Sequence, residues 1–586
     1  MDNNFKEMLS DRFGMFVHYG AYSTLGGRYK GEEIWGLGEW IQRRAEIRIA
    51  DYEEYAVKKF APAPDFAKNL VNRAKAAGVR YIVLTSKHHD GFCLFNSKVS
   101  DYNIYKYTGR DLCRELADAC REEGLGLGFY YSHTLDWHEK NAAGNYEVAH
   151  SDKNIRNRNY WDYPDDNIDF GQYFRDKCLP QVRELLTNYG DLKLIWFDYP
   201  HDITYEESLE LRELVKSIQP NCLINSRIGH GLQDYNSLGD NGLPSTPRGV
   251  PTECLITLNH TWGYKSDDHD WKSPEDIIGV LCRTLAADST LLLNVGPYGN
   301  GYLTPETEAI LSAVGEWTSR NREAIYGGIS GNPFKSVFSW GEVARRGSDL
   351  FLYVRKPVEK LSLSGVLEAP ISAELIGYGA VDFSFENETV TVNCPSTPLT
   401  VPVYKLRFGG EPKISDALAI DSTKDSLSAA FASVAEKVNI DGTAKPIHYE
   451  YNVYAPDFGK NGLTLNRIES TNFWVSSEQV LTWSVSFGEA GDYGAEIVCT
   501  MPSYETVCGD PELAGAYTLS VGDMKNPVCE GIKYTYNISS TGDFNKRFVK
   551  DAGIFRIDEP KKLRVTLSKE CDELGIAVME VRLKKL

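Results

Sequence analysis

The feature that most restricts this chain is an alternation running through its first 328 or so residues. Short apolar runs recur as FGMFVHYG (13–20), YIVLTSKH (81–88), LGLGFYYS (125–132), LKLIWFDY (192–199), NCLINSR (221–227), ECLITLN (253–259) and LLLNVGP (291–297). Stretches with helical periodicity lie between several of them, such as DFAKNLVNRAKAAG (65–78) and GRDLCRELADACREEG (109–124). In the second, Asp111 and Gly124 are start and stop signals. Strands that alternate with helices build βαβ units and a parallel sheet. The length and the number of repeats predict an α/β fold of the (β/α)8 barrel type over 1–330, rather than a doubly wound sheet. No G-x-G-x-x-G opens a helix after a first strand and no P-loop occurs, which argues against nucleotide binding.

At 586 residues the chain is too long for one domain. After GGISGNPF (327–334) the pattern turns to short, closely spaced β-like segments, among them DLFLYVR, AELIGYG, ETVTVNC and VPVYKLRF. These predict a small antiparallel β domain over 335–408, of sandwich type. GGEPKISDALAIDSTKDS (409–426) reads as a linker, and 427–586 as an accessory β-rich domain. In that domain Trp474 and Trp483 are expected to pack in the core rather than to face a ligand.

The formal charge of −19, with no basic run, excludes a nucleic acid or an anionic membrane surface as a natural partner. No apolar stretch reaches the roughly 20 residues of a spanning helix. The opening MDNNFKEMLSDRF lacks a basic stretch followed by an apolar one, so the expected location is the cytoplasm unless a signal has been removed. The twelve cysteines are scattered without zinc-type spacing, so neither a metal nor another cofactor is expected.

Polar and aromatic residues gather where the apolar runs end: His18 and Tyr19, Lys87-His88-His89-Asp90, Tyr130-Tyr131-Ser132, Trp196-Phe197-Asp198 and Asn225-Ser226-Arg227. Glu253 stands beside a later run. In a barrel of this type the C-terminal strand ends converge on one mouth, which carries the active site. Histidines, an arginine, carboxylates and large aromatics meeting there suit a neutral polyhydroxylated ligand. Taken singly, each has a plain structural role open to it: His as a satisfied core residue, Asp as a cap or turn former.

These segments resemble the retaining α-L-fucosidases of glycoside hydrolase family 29. The resemblance rests on RFGMFVHYG, GEWIQ (38–42), KHHDGF (87–92), GRDL, GLGLGFYYS, IWFDYP, NCLINSR, SLGDNGLP (237–244), TECLITLNHTWGY (252–264) and LLLNVGPYGNG (291–301), in that order. It covers about 320 residues and leaves the region beyond 427 unexplained. The resemblance implies an exo-acting hydrolase of terminal α-L-fucosyl linkages on a fucosylated oligosaccharide or glycoconjugate. Asp198 would be the nucleophile of a covalent intermediate, and His18, Glu39, Trp40, His88, His89, Tyr131, Trp196, Arg227 and Trp262 would form the sugar pocket. Tyr19 stands where the family has Trp. The acid/base is Asp240 by this likeness, with Glu253 the alternative, and Gly242 replaces a Glu usual in the loop of Asp240. Either carboxyl is expected beside apolar side chains that hold its proton on. The competing readings are a related glycosidase for another sugar such as α-galactose, and a non-catalytic carbohydrate-binding barrel. A homo-oligomer stays open.

Overall fold

The computed structural model describes residues 10–147, 154–165, 167–243, 250–334, 338 and 340–420. In the C-terminal region it describes 426–428, 433–436, 479–500, 512–522, 527–539, 547–569 and 577–586.

Eight parallel strands form one sheet: β1 (Phe13–Val17), β2 (Tyr81–Lys87), β3 (Gly126–Ser132), β4 (Leu194–Asp198), β5 (Leu223–Ile224), β6 (Asn236–Ser237), β7 (Thr252–Ile256) and β8 (Thr290–Val295). Their spatial order follows the chain, and β8 pairs back onto β1 in register from Phe13–Leu291 to Val17–Val295. The remaining edges, β5 and β6, meet through a parallel bridge between Asn225 and Tyr235, where the Asp234 N–H donates to the Ile224 carbonyl at 2.8 Å. The sheet therefore curls until its edges join, as the alternation predicts.

Helices α1 (Phe66–Ala76), α2 (Leu112–Glu123), α3 (Leu179–Asn188), α4 (Tyr205–Ile218), α5 (Pro274–Ala286) and α6 (Pro305–Arg320) accompany the sheet. The ends of α2 are the signals read above. The Asp111 side chain accepts from the Arg114 N–H, and Gly124 closes the helix at φ +71°.

Strict alternation along the strands sorts side chains into two layers. Phe16, Val83, Tyr130, Leu194, Trp196, Leu223, Tyr235, Leu255 and Leu292 form a buried cluster inside the ring. Their neighbours Met15, Val17, Ile82, Leu84, Phe129, Ile195, Phe197, Ile256 and Leu293 join the larger cluster that includes the helices. The ring holds its aromatics because small residues face them. A Cβ on Gly14 would lie 2.3 Å from the Tyr81 ring, and one on Gly128 would lie 2.9 Å from Leu194.

Eight further strands follow: β9 (Gly341–Arg346), β10 (Asp349–Val354), β11 (Lys360–Ser364), β12 (Ser372–Leu375), β13 (Gly379–Ala380), β14 (Phe383–Glu386), β15 (Thr389–Asn393) and β16 (Val403–Arg407). They build two antiparallel sheets, β9-β10-β16-β12-β13 and β11-β15-β14, around a shared core of Val343, Leu350, Leu352, Leu361, Leu363, Val390, Val392 and Leu406. Alternate residues of the larger sheet, Ala344, Phe351, Tyr353 and Val403, pack into the cluster that holds Trp317 and Ala324 of the barrel region.

The linker expectation for 409–426 needs correction. Leu418–Ile420 pairs in parallel with Gln479–Phe487, so the C-terminal sheets begin before residue 427. Three residues are enough for that pairing because the partner strand is long. Trp483 is buried there with 1% exposure, in the core as expected, and Trp474 lies outside the described residues.

Candidate active site

At the C-terminal mouth of the ring a cavity of about 470 Å³ is lined by Phe16, His18, Leu37, Glu39, Trp40, Arg44, His88, His89, Tyr130, Asn157, Trp196, Asp198, Tyr199, Arg227, Asp240, Leu255 and Trp262. The strand ends named from the sequence do converge. Because β2 stops at Lys87, His88 and His89 leave the alternation and both reach the cavity.

Asp198 ends β4 as an inward residue. Its Oδ1 accepts from Arg227 Nη1 at 2.8 Å and from the Tyr199 N–H at 2.9 Å, and its Oδ2 accepts from the Tyr130 hydroxyl at 2.8 Å. Burial alone would raise its pKa, but the Arg227 charge, with the Arg227 and Tyr130 hydrogen bonds, outweighs that and holds it below the ordinary value. Arg227 also binds Asp240 through Nη2, so one guanidinium joins the two carboxylates. Asp240 is half in solvent, at 51% exposure, and not in the apolar setting expected for it.

The histidines are neutral in this setting. Burial lowers His18 to about 4 and takes His88 and His89 well below their ordinary value. Hydrogen bonds assign two tautomers. The Asn294 amide donates to the Trp262 carbonyl at 2.8 Å, so its Oδ1 accepts from His18 Nδ1 at 2.7 Å, leaving Nε2 as an acceptor. The Ser132 hydroxyl donates to the Leu135 carbonyl at 2.7 Å, so its oxygen accepts from His89 Nδ1 at 2.7 Å, and His89 Nε2 is likewise an acceptor. His88 Nδ1 is buried without a hydrogen-bond partner among the described residues.

Glu39 sits in a 3-10 turn, Gly38–Trp40, tied to a second loop. Its Oε2 accepts from the Gly263 N–H at 2.8 Å and the Thr261 hydroxyl at 3.2 Å. Burial pushes this carboxyl up to about 7 against those hydrogen bonds, and Oε1 has no hydrogen-bond partner among the described residues. A buried acceptor or donor left open at a cavity wall is built to meet a polar group of a ligand.

Two sequence expectations fail here. Tyr131 does not reach the cavity. It is the outward residue of its pair on β3, and its hydroxyl donates to Gln181 of α3 at 2.8 Å, while Tyr130 faces the site. Glu253 does not reach it either. It is the second residue of β7 and points inward, about 7 Å deeper along the strand than Leu255, which does line the cavity. Trp196 roofs it, donating from Nε1 to Glu253 Oε1 at 2.8 Å, and burial lifts the Glu253 carboxyl to about 7.

Sequence reasoning missed Phe16, Leu37, Arg44, Asn157, Tyr199 and Leu255 as cavity residues. Phe16 and Leu255 were accessible through strand parity, but Leu37, Asn157 and Tyr199 come from loops, and Arg44 from a four-residue helix, Ile41–Arg44, whose paths no local pattern specifies. Tyr199 adopts φ +63° directly after Asp198, a conformation rare for a bulky residue. It is held by the Thr134 hydroxyl on its carbonyl and by Asn157 on its own hydroxyl.

The alpha-L-fucosidase family model matches residues 2–323. The chain is 30% identical over 346 residues to the tissue alpha-L-fucosidase of Bos taurus, covering 54% of this chain and 67% of that one. Its fold is similar to that of an alpha-L-fucosidase from Vibrio sp. strain EJY3, with a TM-score of 0.78 at 24% identity over 100% of this chain and 98% of the other. The alpha-L-fucosidase AlfC of Lactobacillus casei, in complex with α-L-fucose product, is 38% identical with a TM-score of 0.51, covering 55% of this chain and all of its own. A mutant of that protein is solved with 4-nitrophenyl-α-L-fucopyranoside and with Fucα(1,6)GlcNAc.

Proposed function

The chain belongs to the alpha-L-fucosidase family of glycoside hydrolases, and on that footing we propose that it removes terminal α-L-fucosyl residues with retention, through a covalent intermediate on Asp198. The observation that carries this reading is the single Arg227 guanidinium bound to both Asp198 and Asp240 at the cavity. Adjacent nitrogens of one group keep two carboxyls close, which favours the short spacing of about 5–5.5 Å used for retention over the wider spacing of inverting enzymes.

Asp198, held ionised by its three donors, attacks the anomeric carbon. As that bond forms, the bond to the leaving oxygen breaks, and Asp240, entering the step as the neutral acid, delivers its proton to that oxygen. Water then attacks the same carbon, Asp240 takes its proton, and Asp198 is released. The neutral acceptors His18 and His89, together with Glu39 and His88, orient hydroxyls. Phe16, Trp196, Leu255 and Trp262 give the apolar wall against which a 6-deoxy methyl packs.

Proton NMR of the first product from an aryl α-L-fucoside tests retention: α-fucose is expected, and β-fucose first would overturn it. Asp198→Ala should lose several orders of magnitude on every substrate, and added azide should yield the β-fucosyl azide. Asp240→Ala should keep far more activity on an activated aryl fucoside than on a natural glycan, with azide giving the α-azide. A variant at Asp240 that behaves like wild type on both substrates would remove it from the acid/base role.

A further inference from the structure

We infer that the cavity mouth holds an anion subsite at Arg44, which accepts a carboxylate- or sulfate-bearing sugar on the leaving-group side. This rests on the fucosidase reading above and names the substrate class it would favour.

One wall of the cavity runs outward from buried His89. Trp40 and Tyr199 come next, with ring centroids 5.2 and 5.7 Å from His89, and both are partly exposed. Beyond Trp40 lies Arg44, its guanidinium 5.9 Å from the Trp40 ring and 4.3 Å from the ring of Trp35. Trp35 is 71% exposed. The wall therefore extends past the depth a terminal sugar would occupy, toward solvent, where the rest of a glycan must lie.

Among the described residues two arginines line the cavity. Arg227 is saturated by its two carboxylates. Arg44 makes no ion pair with any described carboxylate. The nearby Glu39 carboxyl turns instead to Gly263 and Thr261. Arg44 is nonetheless held in place. Gly36, at φ +91°, brings the backbone against its stem, so that a Cβ there would stand 3.2 Å from Arg44 Nε, and Trp35 stacks on its face. A guanidinium stacked on an aromatic ring keeps its in-plane N–H groups free for a two-pronged contact with a planar anion. In a chain of net charge −19, a cation positioned this way, with no carboxylate partner among the described residues, is open to an anionic ligand.

The test compares kcat/KM on 4-carboxyphenyl, 4-sulfophenyl and neutral 4-carbamoylphenyl α-L-fucosides, the sulfonate standing for a sulfate ester. For wild type and Arg44→Met, the ratio of each anionic substrate to the neutral one is taken, so leaving-group chemistry cancels between the two proteins. The ratio should fall about tenfold in Arg44→Met, through KM, the loss expected for one charge-assisted contact. Which anion shows the fall separates a carboxylated from a sulfated sugar. Salt should compress the wild-type ratio and leave that of Arg44→Met unmoved. Ratios equal in the two proteins for both anions would overturn the proposal. A wild type that releases none of the three phenols would overturn the fucosidase reading itself.

Discussion

At the scale of single residues, depth decides what a carboxyl can do. Glu253 and Asp198 both point into the ring, but Asp198 ends its strand at the cavity and is charged, while Glu253 lies beneath Trp196 with a raised pKa. The consequence for stability has a definite sign. The folded value near 7 exceeds the 4.5 of an ordinary glutamate, so between those pH values the folded chain keeps a proton that the unfolded chain has lost. Stability from this group is therefore whole below pH 4.5 and declines as pH rises to 7. Glu253→Gln keeps an acceptor for the Trp196 indole and removes the titration. Its stability relative to wild type should rise by up to about 3 kcal/mol between about pH 5 and about pH 8, measured by denaturant unfolding. A difference that does not change with pH would show that Glu253 is not buried as a neutral acid.

At the scale of the element, parity governs. On β3 the inward Tyr130 donates to Asp198 and the outward Tyr131 donates to Gln181. Tyr130→Phe should lower kcat/KM by about tenfold to a hundredfold, since it removes a hydrogen bond to a charged group. Tyr131→Phe should cost about 1 kcal/mol of stability and leave turnover alone. The reverse pattern in the two assays would invert the strand. The sequence made seven of the eight strands plain because both of their faces are buried, one by the ring interior and one by helices, giving continuous apolar runs. β5 is only two residues within its apolar run, and β6, Asn236–Ser237, has no apolar run at all, so periodicity could not find it. The site was legible as a set of strand ends. Which of two adjacent tyrosines faces inward, and how deep Glu253 sits, depend on where each strand starts, which motif likeness does not reveal.

At the scale of the whole molecule, the catalytic ring and the β9–β16 sandwich share buried surface, whereas the C-terminal sheets have their own core, with Trp483 in it. Cutting the chain between residues 410 and 416, ahead of the strand Leu418–Ile420, should leave hydrolysis of a small aryl fucoside largely intact. Cutting near 330 should instead destabilise the ring, because it uncovers Trp317 and breaks its indole bond to the Val401 carbonyl. Activity assays with thermal unfolding of both truncations would show it, and equal damage from the two cuts would refute it. One seam of the ring has a consequence for how such a protein can change over descent. The stretch from β5 to β6 fastens the cylinder with little more than one bridge, yet it carries Arg227 and leads straight into Asp240. Inheritance can lengthen or reshape a segment that contributes so few ladder bonds while the other strands keep the cylinder standing. Variation tolerated by the scaffold thus falls on Arg227 and Asp240 in the cavity wall, so new substrate preferences can arise here at small cost to the fold.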